Sequence, residues 1–395
     1  MAGLAFLLTA GLYPGGGLRA AAAVPPGSSN STPVIAWLEY KETPYVIANW
    51  VVQHTLQNPP FTNEPAAAGK TIRGFLNLPG GGGKAIPFIW QRNAGRLYLN
   101  LDHRPDFSTN APGVTVARAD SSANVQTFTN LHLPLVSPVG ERPMLADLEV
   151  YDLGSQPYVI LMVRSYWQGR VTLQGQDWQV GLVPNILGAE EQGQLLLRSW
   201  EKRERTFTTA ANGLDTIPFS RKLFLDGHAY ELKSVTNTAS GAAGPGLQFA
   251  EQSVALGDLK ITGQYIQRLV LPGGPYLVVL DQPAGVVKIP TGSYNQPDLL
   301  VGRNGTEAFS LAGGRLPGGR RISVNDQTPA ELTAGGPLTN GVTASRSGGD
   351  LVMNYHLTGV GGETYQLAND NRTHPPEFAV HQGGKKTASG QFEFG

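Results

Sequence analysis

The sequence predicts an all-β protein, with several antiparallel β-sandwich and hairpin domains in tandem after an N-terminal export signal. Gly and Pro are abundant, with 50 and 29 copies among 395 residues, and they favour many short strands separated by turns. Charged residues make up only 15% of the chain, against about 25% in an average protein. Alternation of apolar and polar residues recurs along the chain, and no long stretch shows helical spacing. These observations together favour strands over helices.

A ten-residue pattern occurs twice near the middle of the chain, at Val171–Val180 and Leu223–Leu232. Both copies alternate apolar and polar residues around a Gly, which is typical of two short antiparallel strands joined by a tight turn. The pair Asp226-Gly227 suits that turn because both residues tolerate a positive φ. Trp178 and Tyr230 occupy the same place in the two copies, so we expect them to serve one core position. The middle of the protein is therefore predicted to be a sheet of paired hairpins.

The N-terminus has the order of a secretory signal peptide. An apolar run at Leu4–Leu12 precedes the small residues Ala20–Ala23, which supply an Ala-x-Ala cleavage site. The run is too short to cross a bilayer as a helix. We therefore expect a signal peptide over 1–23 and a Pro/Ser/Asn linker over 24–33. The predicted destination is the periplasm or the exterior of the cell, without an anchor.

Charge and cysteine content exclude several classes of protein. Lys and Arg together number 30, as do Asp and Glu, and this balance argues against nucleic-acid or anionic-membrane partners. No segment beyond the signal is apolar enough for membrane insertion. The chain has no Cys, which excludes disulfides, a thiol nucleophile, thiolate zinc sites and a lipidated-Cys anchor.

One loop at the end of a predicted strand places oxygen-bearing side chains at Asn100, Asp102 and Asp106. Alternating oxygen ligands are what Ca²⁺ requires, so the loop is a candidate calcium site and Ca²⁺ the one candidate cofactor. Arg104 stands at the third ligand position and Pro105 replaces the turn Gly of a calcium loop. The alternative is a strand-ending turn that is capped by Asp and Asn side chains.

The same loop carries a resemblance to other proteins. The stretch from Leu97 to Leu232, with its early loop and its later paired hairpins, and the tail Gly384–Gly395 resemble uncharacterised secreted β-rich bacterial proteins. Those proteins combine a Leu-Tyr-Leu-Asp-Leu-Asn loop with paired Leu-x-Gly-x-x-Tyr hairpins. The resemblance implies secretion and a β-rich fold, and it implies no activity.

The C-terminal half contains further strand patterns. Gly285–Tyr294 reads Gly-apolar-apolar-x-apolar-Pro-x-Gly-x-Tyr, which resembles the strand-turn-strand of prealbumin-like β-sandwiches. The strands after Asn325 resemble a small Ig-like sandwich. The sequence thus predicts five segments after the N-terminal linker: an N-terminal β domain at 34–157, a paired-hairpin domain at 158–235, a linker at 236–246, a prealbumin-like sandwich at 247–324 and an Ig-like domain at 325–395.

Asp147 and Glu149 are the weak candidates for catalysis. They share one face of a predicted strand because Leu148 and Val150 take the other face. Two carboxyl groups about 5–9 Å apart are the machinery of glycoside hydrolysis. The alternative is the solvent face of a half-buried strand. No Gly-x-Ser-x-Gly motif and no His pair at zinc-ligand spacing accompany them.

Trp90 and Trp167 are the weak candidates for ligand binding. Both precede polar turns, so we expect them to be more exposed than the other four Trp and able to stack on sugar rings. The alternative for each is a place in the core. We expect an exported, non-enzymatic binding or structural module of the cell envelope or exterior, with an extracellular polysaccharide or envelope protein as partner. The alternatives are a carbohydrate-binding protein and a glycoside hydrolase or lyase.

Overall fold

The computed structural model of the chain describes residues 32–56, 60–77, 85–108, 111, 113–119, 125–137, 140–154, 157–183, 194–204, 214–236, 245–303, 306–310, 321–367 and 376–392. Its regular structure consists of β-strands and two single-turn 3₁₀ helices, at Arg92–Ala94 and Trp200–Lys202. The prediction of an all-β fold with several antiparallel sheets is confirmed. The predicted signal peptide and nearly all of the linker after it lie outside the described residues.

The described strands, numbered along the chain, are β1 (Val34–Trp37), β2 (Glu39–Glu42), β3 (Ala48–Val51), β4 (Gln53–Leu56), β5 (Thr71–Asn77), β6 (Ile86–Gln91), β7 (Arg96–Asn100), β8 (Val114–Arg118), β9 (Val125–Ser137), β10 (Gly140–Asp152), β11 (Pro157–Val163), β12 (Ser165–Leu173), β13 (Gln176–Val183), β14 (Gln194–Ser199), β15 (Thr216–Pro218), β16 (Lys222–Leu225), β17 (His228–Thr236), β18 (Pro245–Gln252), β19 (Leu256–Thr262), β20 (Ile266–Leu271), β21 (Leu277–Asp281), β22 (Gly285–Pro290), β23 (Gly292–Tyr294), β24 (Asp298–Arg303), β25 (Thr306–Ser310), β26 (Ile322–Val324), β27 (Ala330–Thr333), β28 (Thr339–Ser347), β29 (Asp350–Thr358), β30 (Thr364–Leu367), β31 (Glu377–Gln382) and β32 (Lys385–Gln391).

The first sandwich packs the sheet β3-β11-β10-β9 against the sheet β4-β5-β6-β7-β8. Leu148 and Phe128 from one sheet and Phe88 and Leu99 from the other contribute to its buried core. β3 and β4 are one run of chain that changes sheets at the buried Val52. This crossing ties the two layers together at one side of the sandwich.

A second sandwich packs the sheet β15-β14-β13-β12-β2 against an eleven-stranded sheet of order β1-β18-β17-β16-β21-β20-β24-β25-β30-β29-β28. β1 pairs with β18 in the large sheet, and β2 pairs with β12 in the smaller one. The chain crosses between the two layers near Leu38, and both Ala36 and Leu38 point into the core. The first and second sandwiches therefore use the same crossing of one chain segment between their layers.

The middle of the eleven-stranded sheet is buried on both faces. In β21, Leu277 and Val279 belong to the core of the second sandwich, whereas Val278 and Leu280 belong to a third core. That third core lies between the large sheet and the short sheets β22-β19-β27 and β23-β26. A strand with two buried faces must be apolar at consecutive positions, which explains the uninterrupted run Leu277–Leu280.

Both copies of the repeated pattern form hairpins, β12–β13 and β16–β17. Each turn has two central residues with positive φ, which are Gln174 and Gly175 in one copy and Asp226 and Gly227 in the other. The prediction of one sheet of paired hairpins is wrong, because β12–β13 and β16–β17 lie in different sheets. Their matched aromatic residues are both buried in the core between those sheets. The repeat thus encodes the packing of two facing layers.

The large sheet contains strands from four segments that the sequence assigns to different domains: 34–157, 158–235, 247–324 and 325–395. β17 and β18, which flank most of the predicted linker 236–246, pair with each other in the same sheet. Residues 237–244 between them lie outside the described part. The prealbumin-like and Ig-like assignments stay predictions.

Candidate functional site

Asp147 lies in β10 beside a bulge in the pairing with β9. Its carboxylate accepts hydrogen bonds from Arg164 Nη1, at 3.0 and 3.1 Å, and from the Asn130 backbone N–H at 2.8 Å. The residue is only 7% exposed. These contacts stabilise the fold, because Asp147 connects the bulged backbone at Asn130 to Arg164, which directly precedes β12.

Glu149 shares the outward face of β10 with Asp147, as predicted from the buried Leu148. Its Oε2 accepts a hydrogen bond from the Tyr151 hydroxyl at 2.8 Å, and this contact raises the pKa of Tyr151. The two carboxylates therefore have separate partners within the sheet. Their assignment to catalysis stays a prediction.

Trp90 and Trp167 are 1% and 6% exposed, so the prediction that they are exposed is wrong. β6, which carries Trp90, is buried on both faces, and the indole N–H donates to Gln126 Oε1 at 2.7 Å. Trp167 points into the core of the second sandwich and makes an edge contact with Tyr40, with 5.5 Å between ring centroids. Neither indole face is available to a sugar ring.

The loop at Asn100 is held by hydrogen bonds of its own. Asn100 is 1% exposed, its Nδ2 donates to the Asp106 carbonyl at 2.6 Å, and its Oδ1 accepts from the Asp102 N–H at 3.0 Å. The Asp106 carboxylate accepts from Asn63 Nδ2 and the Ser108 N–H, both at 3.0 Å, and these bonds lower the pKa of Asp106. The contacts match the alternative of a capped turn. Among the described residues no cluster of three His, Asp or Glu is placed to hold a metal ion, and the calcium site stays a prediction.

An open groove of about 510 Å³ lies on the outward face of the sheet β15-β14-β13-β12-β2. Its base consists of side chains from three adjacent strands, and its walls come from the turn after β2 and from the 3₁₀ helix after β14. The lining residues are Glu42, Thr43, Pro44, Tyr45, Tyr166, Gln168, Gln179, Arg198, Trp200, Arg203 and Glu204.

The base of the groove is a chain of hydrogen bonds between adjacent strands. Arg198, which is 1% exposed, donates from Nε to Gln179 Oε1 at 2.7 Å, and Gln179 Nε2 donates to Gln168 Oε1 at 2.7 Å. Arg198 Nη2 donates to the Arg203 carbonyl at 2.6 Å, and Nη1 lies 3.5 Å from Asp215 Oδ2. A buried cation with this many partners has a fixed position, so the base of the groove is rigid.

Three aromatic side chains line the groove, and these are Tyr45, Tyr166 and Trp200. Tyr45 is 51% exposed, and Tyr166 is half-buried, which raises the pKa of Tyr166. The guanidinium groups of Arg170 and Arg203 lie over the Trp200 ring at 4.8 and 5.4 Å from its centroid. Such cation–π contacts hold the indole in place. The groove therefore combines a rigid indole wall with an exposed phenol ring.

The charges around the groove are compensated. Its lining contains two arginines and two glutamates. Arg203 Nε lies 3.2 Å from Glu204 Oε1, Arg170 pairs with Asp177, and Arg198 faces Asp215. The groove consequently presents amides, hydroxyls and aromatic rings without an excess of either sign.

The sequence carries little signal for the groove. The run that follows Trp200 has mixed charges, Glu201–Arg205, and such a run is typical of a solvated surface. A Trp directly before that run is the one local signal, because an indole flanked by arginines is commonly held in a cation–π contact. The amides of Gln168 and Gln179 carry no signal of their own in the sequence.

Comparisons of the chain with protein-family models, with curated proteins and with solved structures find no match in any of the three. In the part of the chain that the structure describes, no helix has the length and apolar character to cross a membrane.

Proposed function

We propose that this chain is an exported, non-enzymatic binding protein and that the groove between Tyr45 and Trp200 holds a neutral carbohydrate. The observation that carries the proposal is the combination of aromatic walls with a base of fixed side-chain amides. A volume of about 510 Å³ is within the usual range of small-molecule sites.

Sugars have two kinds of surface, and the groove offers a partner for each. The C–H face of a pyranose ring packs on an aromatic side chain, for which the exposed Tyr45 ring is placed. The hydroxyl groups need hydrogen-bonding partners, which Gln168 and the carboxylate of Glu42 supply along the lining. A rigid base lowers the entropy that is lost on binding, because its side chains are ordered before the ligand arrives.

The geometry favours binding over glycoside hydrolysis at the predicted acids. A general acid must be free to give up its proton to the leaving oxygen, whereas Asp147 is held in an ion pair with Arg164. Asp147 and Glu149 are also absent from the lining of the groove. A purely structural module remains the alternative, and it predicts no ligand in the groove.

Affinity electrophoresis and titration calorimetry of the full chain on a panel of neutral and acidic oligosaccharides test the proposal. We expect at least one neutral oligosaccharide to bind and Tyr45→Ala to weaken that binding about tenfold or more, as for the loss of a stacked ring. The matched control is Tyr158→Ala, because Tyr158 is an exposed tyrosine outside the groove. No binding to any glycan, or equal losses in the two variants, would contradict the proposal.

A further inference from the structure

The buried Arg198 determines which way the two amides in the base of the groove point. A guanidinium group has only donors, so the Gln179 atom that receives Arg198 Nε, 2.7 Å away, must be the carbonyl oxygen. The amide of Gln179 then has its NH₂ group toward Gln168, at 2.7 Å. Because this NH₂ group donates, the Gln168 atom that receives it must be the carbonyl oxygen. The direction of both amides follows from the chemistry of the arginine alone.

Gln168 is the last side chain in this series of hydrogen bonds, and it presents its NH₂ group to the groove as a donor. Gln168 lines the groove, and its carbonyl oxygen is already used by Gln179. Its Nε2 group has no hydrogen-bond partner among the residues that the structure describes. Within the described part of the chain, both of its N–H donors are therefore left for a ligand. Reversing the Gln168 amide would place two NH₂ groups against each other, which the fixed position of Arg198 prevents.

A donor-only group is best matched by an acceptor-only group on the ligand. A sugar hydroxyl that accepts from Gln168 carries a proton on the same oxygen, so it needs an acceptor directly beside Gln168, where the carbonyl oxygens of Gln168 and Gln179 already accept hydrogen bonds. The carbonyl oxygen of an N-acetyl group accepts without carrying a proton, and the N–H of the same group points away from that oxygen, so a carboxylate that lines the groove can accept it. A carboxylate or sulfate would also accept, but Glu42 and Glu204 line the groove, and its arginines already have partners. Burying an anion there would therefore be unfavourable.

We infer that the ligand is a neutral sugar with an N-acetylated amino group, whose acetyl carbonyl accepts a hydrogen bond from Gln168 Nε2. The inference rests on the proposed function of the groove and adds the substrate class. The acetyl methyl group supplies further apolar surface for contact with Tyr166 and Trp200, which both line the groove.

Titration calorimetry with the trisaccharides of N-acetylglucosamine, glucose and glucosamine tests the inference on the full chain. We expect the N-acetylated trisaccharide to bind about tenfold or more tightly than the other two, which corresponds to one well-placed hydrogen bond. Gln168→Glu keeps the shape and the bond from Gln179 but replaces the donor by a carboxylate. We expect that variant to lose the N-acetylated ligand about tenfold or more and to gain affinity for the cationic glucosamine trisaccharide.

The matched control is Gln248→Glu, which makes the same change on β18, outside the groove and opposite Lys233. It should leave all three affinities unchanged, and far-ultraviolet circular dichroism checks the fold of both variants. Equal affinity of the natural chain for the glucose and N-acetylglucosamine trisaccharides would overturn the inference. If that shared binding still depended on Tyr45, the proposed function would stand, whereas no binding to any trisaccharide would count against both proposals.

Discussion

The turn of the second hairpin places a carboxylate where its charge is unfavourable. Asp226 has a φ of 43° and its Oδ1 accepts the Asp281 backbone N–H at 2.8 Å. Replacing Asp226 by Asn keeps an acceptor oxygen and a residue that tolerates positive φ, and Asn-Gly is a preferred pair for this turn. The substitution therefore removes the charge with little other change. We expect Asp226→Asn to stabilise the protein at neutral pH.

The magnitude follows from the pKa of the carboxyl group. Burial of the carboxyl, together with repulsion from Asp281, raises the pKa of Asp226 from 3.8 to about 6. A difference of about 2 units corresponds to about 3 kcal/mol when the group is charged. Although protein atoms surround the carboxyl group, the Asp226 residue as a whole is exposed to solvent. Screening by that solvent reduces the expected gain to about 1 kcal/mol. The folded state binds the proton more tightly, so the penalty is absent below pH 3.8, grows up to about pH 6 and is constant above it.

Urea unfolding of the natural chain and of Asp226→Asn at pH 7.5 and pH 4.0 measures this effect. We expect a gain of about 1 kcal/mol in the free energy of unfolding at pH 7.5 and a much smaller gain at pH 4.0. The control is Gln174→Asn, at the same turn position in the first hairpin, where φ is 51° and no charge is removed. A gain for Asp226→Asn that is equal at both pH values would refute the electrostatic reasoning.

Two further predictions concern stability. Arg268→Met should lower the free energy of unfolding in urea at pH 7 by about 3–5 kcal/mol, because this buried guanidinium pairs with two carboxylates and donates to two backbone carbonyls. The control Lys260→Met removes an exposed ion pair and should lower it by under about 1 kcal/mol. Comparable costs for the two variants would contradict this. Gly169→Ala should lower the melting temperature strongly, because a Cβ there would overlap the Trp37 carbonyl oxygen. The control Gly349→Ala has open space around the new Cβ and should change the melting temperature little. An unchanged melting temperature for Gly169→Ala would contradict the prediction.

The sequence predicts the placement of the candidate acids better than that of the candidate aromatic residues. The burial of Leu148 beneath Asp147 and Glu149 follows from alternation along one strand, and the structure shows it. The prediction that Trp90 and Trp167 are exposed is wrong, because alternation separates the two faces of a strand without indicating what covers each face. Trp90 lies on the face of β6 that belongs to the core of the first sandwich, and Trp167 lies on the face of β12 that belongs to the core of the second.

The sequence by itself determined the elements that depend on neighbouring residues. The positive φ of Asp226-Gly227 produces the hairpin turn, and the period-two alternation produces the strands. Only the tertiary structure decided that the two hairpins face each other from different sheets and that Tyr45 meets Trp200 across a groove. The physical reason is that turns and alternation are set by local backbone geometry. The pairing of distant strands depends instead on which apolar faces cover one another once the whole chain has folded.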